Sequence, residues 1–191
     1  LTLLLPLAVL IAELWNKAES PLQNWGHFLI GQIMIALPFA LMNVLNHIDS
    51  YLLLAVFVLI WVNDSGAYCV GVLTAKKMPG GNHKMFPRVS PAKSWEGLIG
   101  GFVFDLIAGY VFFHLGWTAD MGLVNSLYLA LAVGVFGTMG DLMESLMKRT
   151  LGVKDSGKFM PGHGGVLDRF DSLLLAVPIV YFFFVFLPSV L

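Results

Sequence analysis

The sequence predicts an all-α fold, a polytopic integral membrane helix bundle of about six transmembrane helices. Three observations carry this prediction. Mean hydropathy is +0.80, and 58% of the 191 residues are hydrophobic, including 15 phenylalanines. A soluble domain of this length has no interior large enough for that apolar surface, whereas a chain dissolved in lipid needs none. The apolar residues gather into segments, most of them near the ~20 residues that cross a bilayer as helix. Charged residues make up only 12% of the chain, and ten of the 11 Lys and Arg fall in two short stretches.

In chain order the apolar segments are about 1–15, 27–46, 51–75, 95–117, 122–147 and 172–190. The first is short and opens without Met, which predicts an N-terminally truncated chain. No basic region precedes it and no small-residue cleavage site follows, so a signal peptide is not indicated. Proline falls inside "LPLAVL", "ALPFAL" and "AVPIVY", where membrane helices tolerate it as kinks. Gly97 and Gly101, four apart, give a close-packing spacing. Trp95 and Trp117 stand at segment ends, as interfacial anchors do. The single cysteine, Cys69, excludes an intrachain disulfide. In its apolar run it is expected to be a small buried residue. No internal repeat or low-complexity tract divides the chain, so residues 1–191 are expected to form one transmembrane catalytic domain.

The cations predict the topology. Lys76, Lys77, Lys84, Arg88 and Lys93 form one stretch, and Lys148, Arg149, Lys154, Lys158 and Arg169 the other. Two apolar segments separate them, so both lie on one side, and "NHIDS" and "LGWTAD" on the other side carry no cation. The positive-inside rule makes the basic side cytoplasmic.

Carboxylates interrupt the apolar segments. Asp64 in "IWVNDSGAY" lies about twelve residues from Lys76, ~18 Å along a helix. Asp141 and Glu144 are spaced i, i+3 on one helical face. Charge at such depth marks a functional cavity or a paired site. Asp105 in "GFVFDLIAGY" is read as structural. The second basic stretch continues as "KDSGKFMPGHGGVLDRFD". Gly162, Gly164 and Gly165 let backbone N–H groups approach an anion. Lys and Arg supply countercharge, and Asp141, Asp155, Asp168 and Asp171 supply hard oxygens suited to Mg²⁺. There is no Walker A motif, dinucleotide glycine turn or nucleophile elbow, and one Cys with five scattered His does not make a zinc site. These residues suit metal-assisted transfer between phosphates, in which positioning and charge neutralisation dominate.

"SLMKRTLGVKDSGKFMPGHGGVLDRFD" closely resembles the signature of the phosphatidate cytidylyltransferases, the CDP-diacylglycerol synthases. The matching residues are Ser145, Lys148, Arg149, Lys154, Asp155, Pro161, His163, Gly164, Gly165, Asp168, Arg169 and Asp171. "WVNDSGAYCVG" and "PRVSPAKSWEGLIGG" resemble two further blocks, so the resemblance covers about 60–175. "LTAKKMPGGNHKMF" departs from the family's compact Gly-Lys turn. The resemblance implies transfer of the cytidylyl group of CTP to phosphatidate, giving CDP-diacylglycerol and pyrophosphate, in phospholipid biosynthesis. It implies Mg²⁺, with or without a second metal ion, held by Asp141 and Asp168 with Glu144. Lys148, Arg149 and Asp171 complete the implied catalytic set. Lys154, Asp155, Lys158, His163, Gly164, Gly165 and Arg169 would bind substrate phosphates. Asn63, Asp64, Ser90, Lys93 and Ser94 would line the opposite wall. The implied partners are CTP, phosphatidate and membrane lipid, with no nucleic acid. A homodimer is common in such enzymes, and the implied location is the bacterial inner membrane. The apolar helices would admit acyl chains sideways from the bilayer.

Two other readings use the same residues. A CTP-dependent lipid kinase would move the γ-phosphate to an alcohol, with Asp155 or His163 near the hydroxyl. A transporter or anion channel would use the charges as a path, but the charges lie on one side and no repeat is present.

Overall fold

The computed structural model describes residues 4–16, 20–157, 164–186 and 188. Lys158, Pro161, Gly162 and His163 lie outside the described residues. Among the described residues the regular structure is helical apart from one small hairpin. Helix α1 is Leu4–Ala12. α2 (Pro21–Gly31) runs through a π-helical turn, Gln32–Ala36, into α3 (Leu37–Ile48). α4 is Ser50–Lys77, α5 Trp95–His114, α6 Gly122–Thr150 and α7 Leu173–Tyr181. Strands β1 (Lys84–Phe86) and β2 (Ser90–Ser94) pair antiparallel between α4 and α5.

All six apolar segments contain helix, but the described residues hold four helices long and apolar enough to cross a membrane. These are Pro21–Ile48, Ser50–Lys77, Trp95–His114 and Ala119–Thr150. The apolar stretch Leu173–Phe186 is shorter. The protein is therefore a polytopic integral membrane helix bundle, with four long spans among the described residues.

Local chemistry sets the element boundaries. Asp49 caps α4, its Oδ1 accepting from Tyr51 N at 2.8 Å and Leu52 N at 3.2 Å. This satisfies orphan donors at a tight reversal between α3 and α4. Ser94 caps α5 by accepting from Gly97 N. α4 buries Leu52, Ala55, Val56, Leu59, Asn63 and Gly66, a stripe of helical period facing the bundle. Leu45, Leu129, Val133, Val177 and Val180 meet it in a core without solvent access.

Helices α4, α5 and α6 approach closely through small residues. A Cβ on Gly101 would fall 2.8 Å from the Asn63 amide, and one on Gly109 would fall 2.9 Å from Ala130. Gly97 and Gly101 thus act in packing, as their spacing predicts. Asp105 is fully buried and accepts from Asn63 Nδ2 at 2.6 Å, so it is a structural carboxyl tying α5 to α4.

Cys69 is exposed, contrary to expectation. The packed side of α4 continues through Gly66, Val70 and Thr74, and Cys69 lies off that side. In a membrane helix an apolar run faces lipid as readily as protein, so apolar neighbours do not imply burial. Trp117 is half-buried and stacks on Phe112 at 4.8 Å, so it packs into the bundle as well as standing at its end.

Candidate active site

The basic ends of α4, α5 and α6 meet at one face of the bundle, and α6 supplies the centre. Asp141, Glu144, Ser145 and Lys148 are spaced i, i+3, i+4, i+7 on its final turns and share one side. Ser145 Oγ donates to Asp141 Oδ1 at 3.2 Å. Lys148 Nζ pairs with Glu144 and reaches Asp168 Oδ1 at 2.5 Å. Glu144 is almost fully buried, so the ammonium supplies the countercharge such a group requires.

Asp168 ties the loop to the helix. Its Oδ2 accepts from Ser156 N at 2.9 Å, Ser156 Oγ at 2.7 Å and Gly165 N at 2.6 Å. Ser156 and Gly165 flank the glycine-rich segment, so one carboxylate clasps both of its ends. Burial pushes the Asp168 carboxyl up. The Lys148 ammonium, the Ser156 hydroxyl and the two N–H groups outweigh burial and hold it below the usual carboxylate range. Gly164 sits at φ +81°, and a Cβ there would fall 2.7 Å from Asp168 Oδ2, so both backbone and space call for glycine.

Asp64, Asp141, Asp168 and Asp171 line one cavity of about 600 Å³, together with Arg169 and Trp61. Asp171 comes close because Gly140 lets α6 lie against it. A Cβ on Gly140 would stand 2.6 Å from the Asp171 carbonyl oxygen. Burial raises the Asp171 carboxyl to about 6, with the Asp141 charge adding to the rise and the Ser172 N–H opposing it. A second cavity of about 510 Å³ lies between α4, the hairpin and α5. Asn63, Asp64, Lys84, Lys93 and Ser94 line it, and Asp64 therefore borders both spaces. Lys93 Nζ crosses to α6, 2.8 Å from Asp141 Oδ2 and 3.4 Å from Thr138 O.

The structure thus gathers Asp64, Lys93, Asp141, Lys148, Asp168, Arg169 and Asp171, with Gly164 and Gly165 beside them. Asn63 and Ser94 line the second cavity while engaged in a buried hydrogen bond and a helix cap. Glu144 lies behind the cavity wall, against Lys148. Ser90 opens β2 opposite Phe86 and lines neither cavity. Arg149 braces the hairpin, its Nε donating to Val89 O at 3.4 Å. Lys154 and Asp155 are exposed on the loop outside both cavities. Lys158 and His163 fall outside the described residues. Ser156 was not singled out from the sequence. It lies twelve residues from Asp168 across the loop, and no periodic spacing links them.

The comparisons decide the lineage of this arrangement. Residues 1–187 match the Cytidylyltransferase family. The chain belongs to that family. Among curated cytidylyltransferase relatives, one named phosphatidate cytidylyltransferase from Haemophilus influenzae is 45% identical over 139 residues, 71% of this chain and 46% of that protein. One of the same name from Bacillus subtilis is 38% identical over 183 residues, 94% of this chain and 64% of its own length. A third, from Staphylococcus haemolyticus, is 43% identical over 131 residues, 68% of this chain and 47% of that protein. The chain spans between about half and two thirds of the length of these cytidylyltransferases.

The family implies a divalent cation. The donors fit, because the cavity offers four carboxylates and, among the described residues, no softer ligand. Among the described residues no three of His, Cys, Asp and Glu converge closely enough to hold an ion by themselves. Mg²⁺ is commonly bound by one or two carboxylates with substrate phosphates completing its shell, and that pattern needs no ready-made cage.

Proposed function

We propose that this chain carries the catalytic part of a phosphatidate cytidylyltransferase. It would transfer the cytidylyl group of CTP to phosphatidate and release pyrophosphate. The observation that carries the reading is the cavity shared by Asp64, Asp141, Asp168 and Asp171 and flanked by Lys93, Lys148 and Arg169. It lies at the cation-bearing ends of spanning helices, in a chain of this family.

The chemistry needs little from the protein beyond positioning and charge. A phosphate monoester has its second pKa near 6, so phosphatidate reaches the site as an anionic nucleophile without a strong base. Its oxygen attacks the α-phosphorus of CTP, and the bond to the β-phosphate oxygen breaks with that oxygen keeping the electron pair. The difficulty lies in bringing two polyanions together and carrying the charge of the departing pyrophosphate. Lys93 and Arg169 neutralise phosphate oxygens from opposite walls. Lys148 holds Asp168 in place, and Glu144 holds Lys148. Gly164 gives the loop edge its close backbone, and the Gly165 N–H helps hold Asp168. Asp141 and Asp168 would hold Mg²⁺, with Asp64 and Asp171 across the same cavity. When bound, the ion supplies electrostatic stabilisation of phosphate charge. The active face would look toward the cytoplasm of a bacterial inner membrane, and a homodimer is the proposed assembly.

The test uses CTP labelled at the α- or γ-phosphate, with purified full-length protein, Mg²⁺, phosphatidate and a lipid alcohol. The expected result is α-label in the lipid fraction with one pyrophosphate released per transfer. Label in the lipid from the γ-position alone would replace this reading with a lipid kinase.

A further inference from the structure

Beside the polar cavities lies an apolar groove of about 460 Å³. α5 contributes Trp95, Leu98 and Phe102, and α6 contributes residues from Val135 to Leu146. The hairpin roofs it with Phe86 and Val89. Among the described residues of the lining, Thr138 alone carries a hydroxyl. Along α6 the groove extends eleven residues, ~16 Å of helix, about half the ~30 Å hydrocarbon core. Met139 and Met143 are 48% and 40% exposed, so the groove opens sideways from the bundle.

The groove and the Lys93 cavity share a wall. Met85, Leu98 and Thr138 line both spaces, and the Lys93 ammonium lies 3.4 Å from the Thr138 carbonyl. A hydrocarbon-lined channel that meets a cation at its inner side is complementary to an anionic amphiphile. A soluble nucleotide matches only the cationic half, and a zwitterionic lipid brings an ammonium of its own that offsets its phosphate. Three methionines in the lining, Met85, Met139 and Met143, conform to a chain of variable shape.

We propose that this groove seats the glycerol-proximal part of one acyl chain of an anionic phospholipid while its phosphate lies against Lys93. With the function proposed above, on which the identity of the lipid rests, the occupant is phosphatidate. Met85, Leu98 and Thr138 then form the threshold between bilayer and reaction cavity. The lipid crosses it head first, and its chain stays in the groove.

The test is photolabelling of the full-length protein in vesicles. Phosphatidate with a diazirine on one chain near the glycerol is compared with phosphatidylcholine carrying the same chain. Label from phosphatidate is expected on 95–102 and 135–146, several-fold above that from phosphatidylcholine and competed by unlabelled phosphatidate. Equal labelling by both lipids, or labelling elsewhere, would overturn the proposal. So would crosslinks joining these residues to a second copy of the chain. Met139→Trp, which fills an exposed part of the groove, is expected to raise KM for dioleoyl phosphatidate at least about tenfold with KM for CTP unchanged. Equal change in both constants would also count against it. Met143→Trp serves if the first variant does not fold. Cytidylyl transfer is followed in the same preparations. Selective labelling without transfer would remove the enzymatic reading and leave the groove. Transfer with unselective labelling would remove the groove alone.

Discussion

Lys148 is the residue on which the charge balance of the site turns, because its ammonium pairs with buried Glu144 and also holds Asp168. Removing one partner of a buried pair leaves the other charge uncompensated, at a cost of about 3–5 kcal/mol. Lys148→Met is therefore expected to lower the unfolding temperature markedly and abolish transfer. Adding Glu144→Gln should restore most of the stability and none of the activity, because Asp168 and the substrate phosphates still lack the cation. Thermal unfolding in detergent, read beside turnover, checks both halves. Asp171 gives a pH-dependent counterpart. Its carboxyl sits at about 6 in the fold, above the ~3.9 of an unfolded Asp. The folded state thus holds the proton more tightly. Its stability falls as pH rises from about 4 to about 6, and the penalty persists above. In chelator, Asp171→Asn should unfold at a higher temperature than wild type at pH 8, and the difference should vanish near pH 4. A difference that does not change with pH would remove Asp171 from the carboxylate cluster.

At the scale of elements, the site depends on how closely α6 approaches the segment before α7. Gly140 permits that approach, and the atom a Cβ would meet belongs to the backbone of Asp171, which cannot rotate away. Gly140→Ala is expected to cost about 1–3 kcal/mol and to reduce kcat by an order of magnitude or more, since an ångström of misplacement in a reacting constellation costs about a hundredfold. Circular dichroism separates this from unfolding. The same elements explain what could be read in advance. Asp141, Glu144 and Lys148 could be grouped from the sequence because helical periodicity puts their spacings on one side. The pairing of Lys93 with Asp141, and of Ser156 with Asp168, could not. Those contacts depend on where a hairpin and a loop fold back. Cys69 was misread for a related reason. Its apolar neighbours specify a membrane helix, and only the packing of α4 on α5 decides which of its sides meets lipid.

For the whole molecule, the distribution of cations orients the bundle. The number of chain reversals between Lys84 and Val153 puts them on one side and Asp120 on the other. In a Cys69→Ser background, single cysteines at Lys84 and Val153 should react with a membrane-impermeant thiol reagent from the same face of sealed vesicles. A cysteine at Asp120 should react only from the opposite face. Reaction of Lys84 and Val153 variants from different faces would contradict the α5–α6 hairpin. Helix class was legible because hydropathy alone identifies apolar segments of membrane length.

The glycine contacts between α4 and α5 also bear on how the protein comes into being. These neighbours in sequence can lock together once both are in the bilayer, for they need nothing made later. The carboxylate cavity has no such early form. Lys93 and Asp64 are translated well before Asp141, and the carboxylate cluster lacks a member until Asp171 has left the ribosome. A nascent chain halted before α7 would hold a well-packed helical hairpin and an open, uncompensated set of charges. Synthesis itself therefore leaves the carboxylate cavity incomplete until the scaffold that contains it is in place.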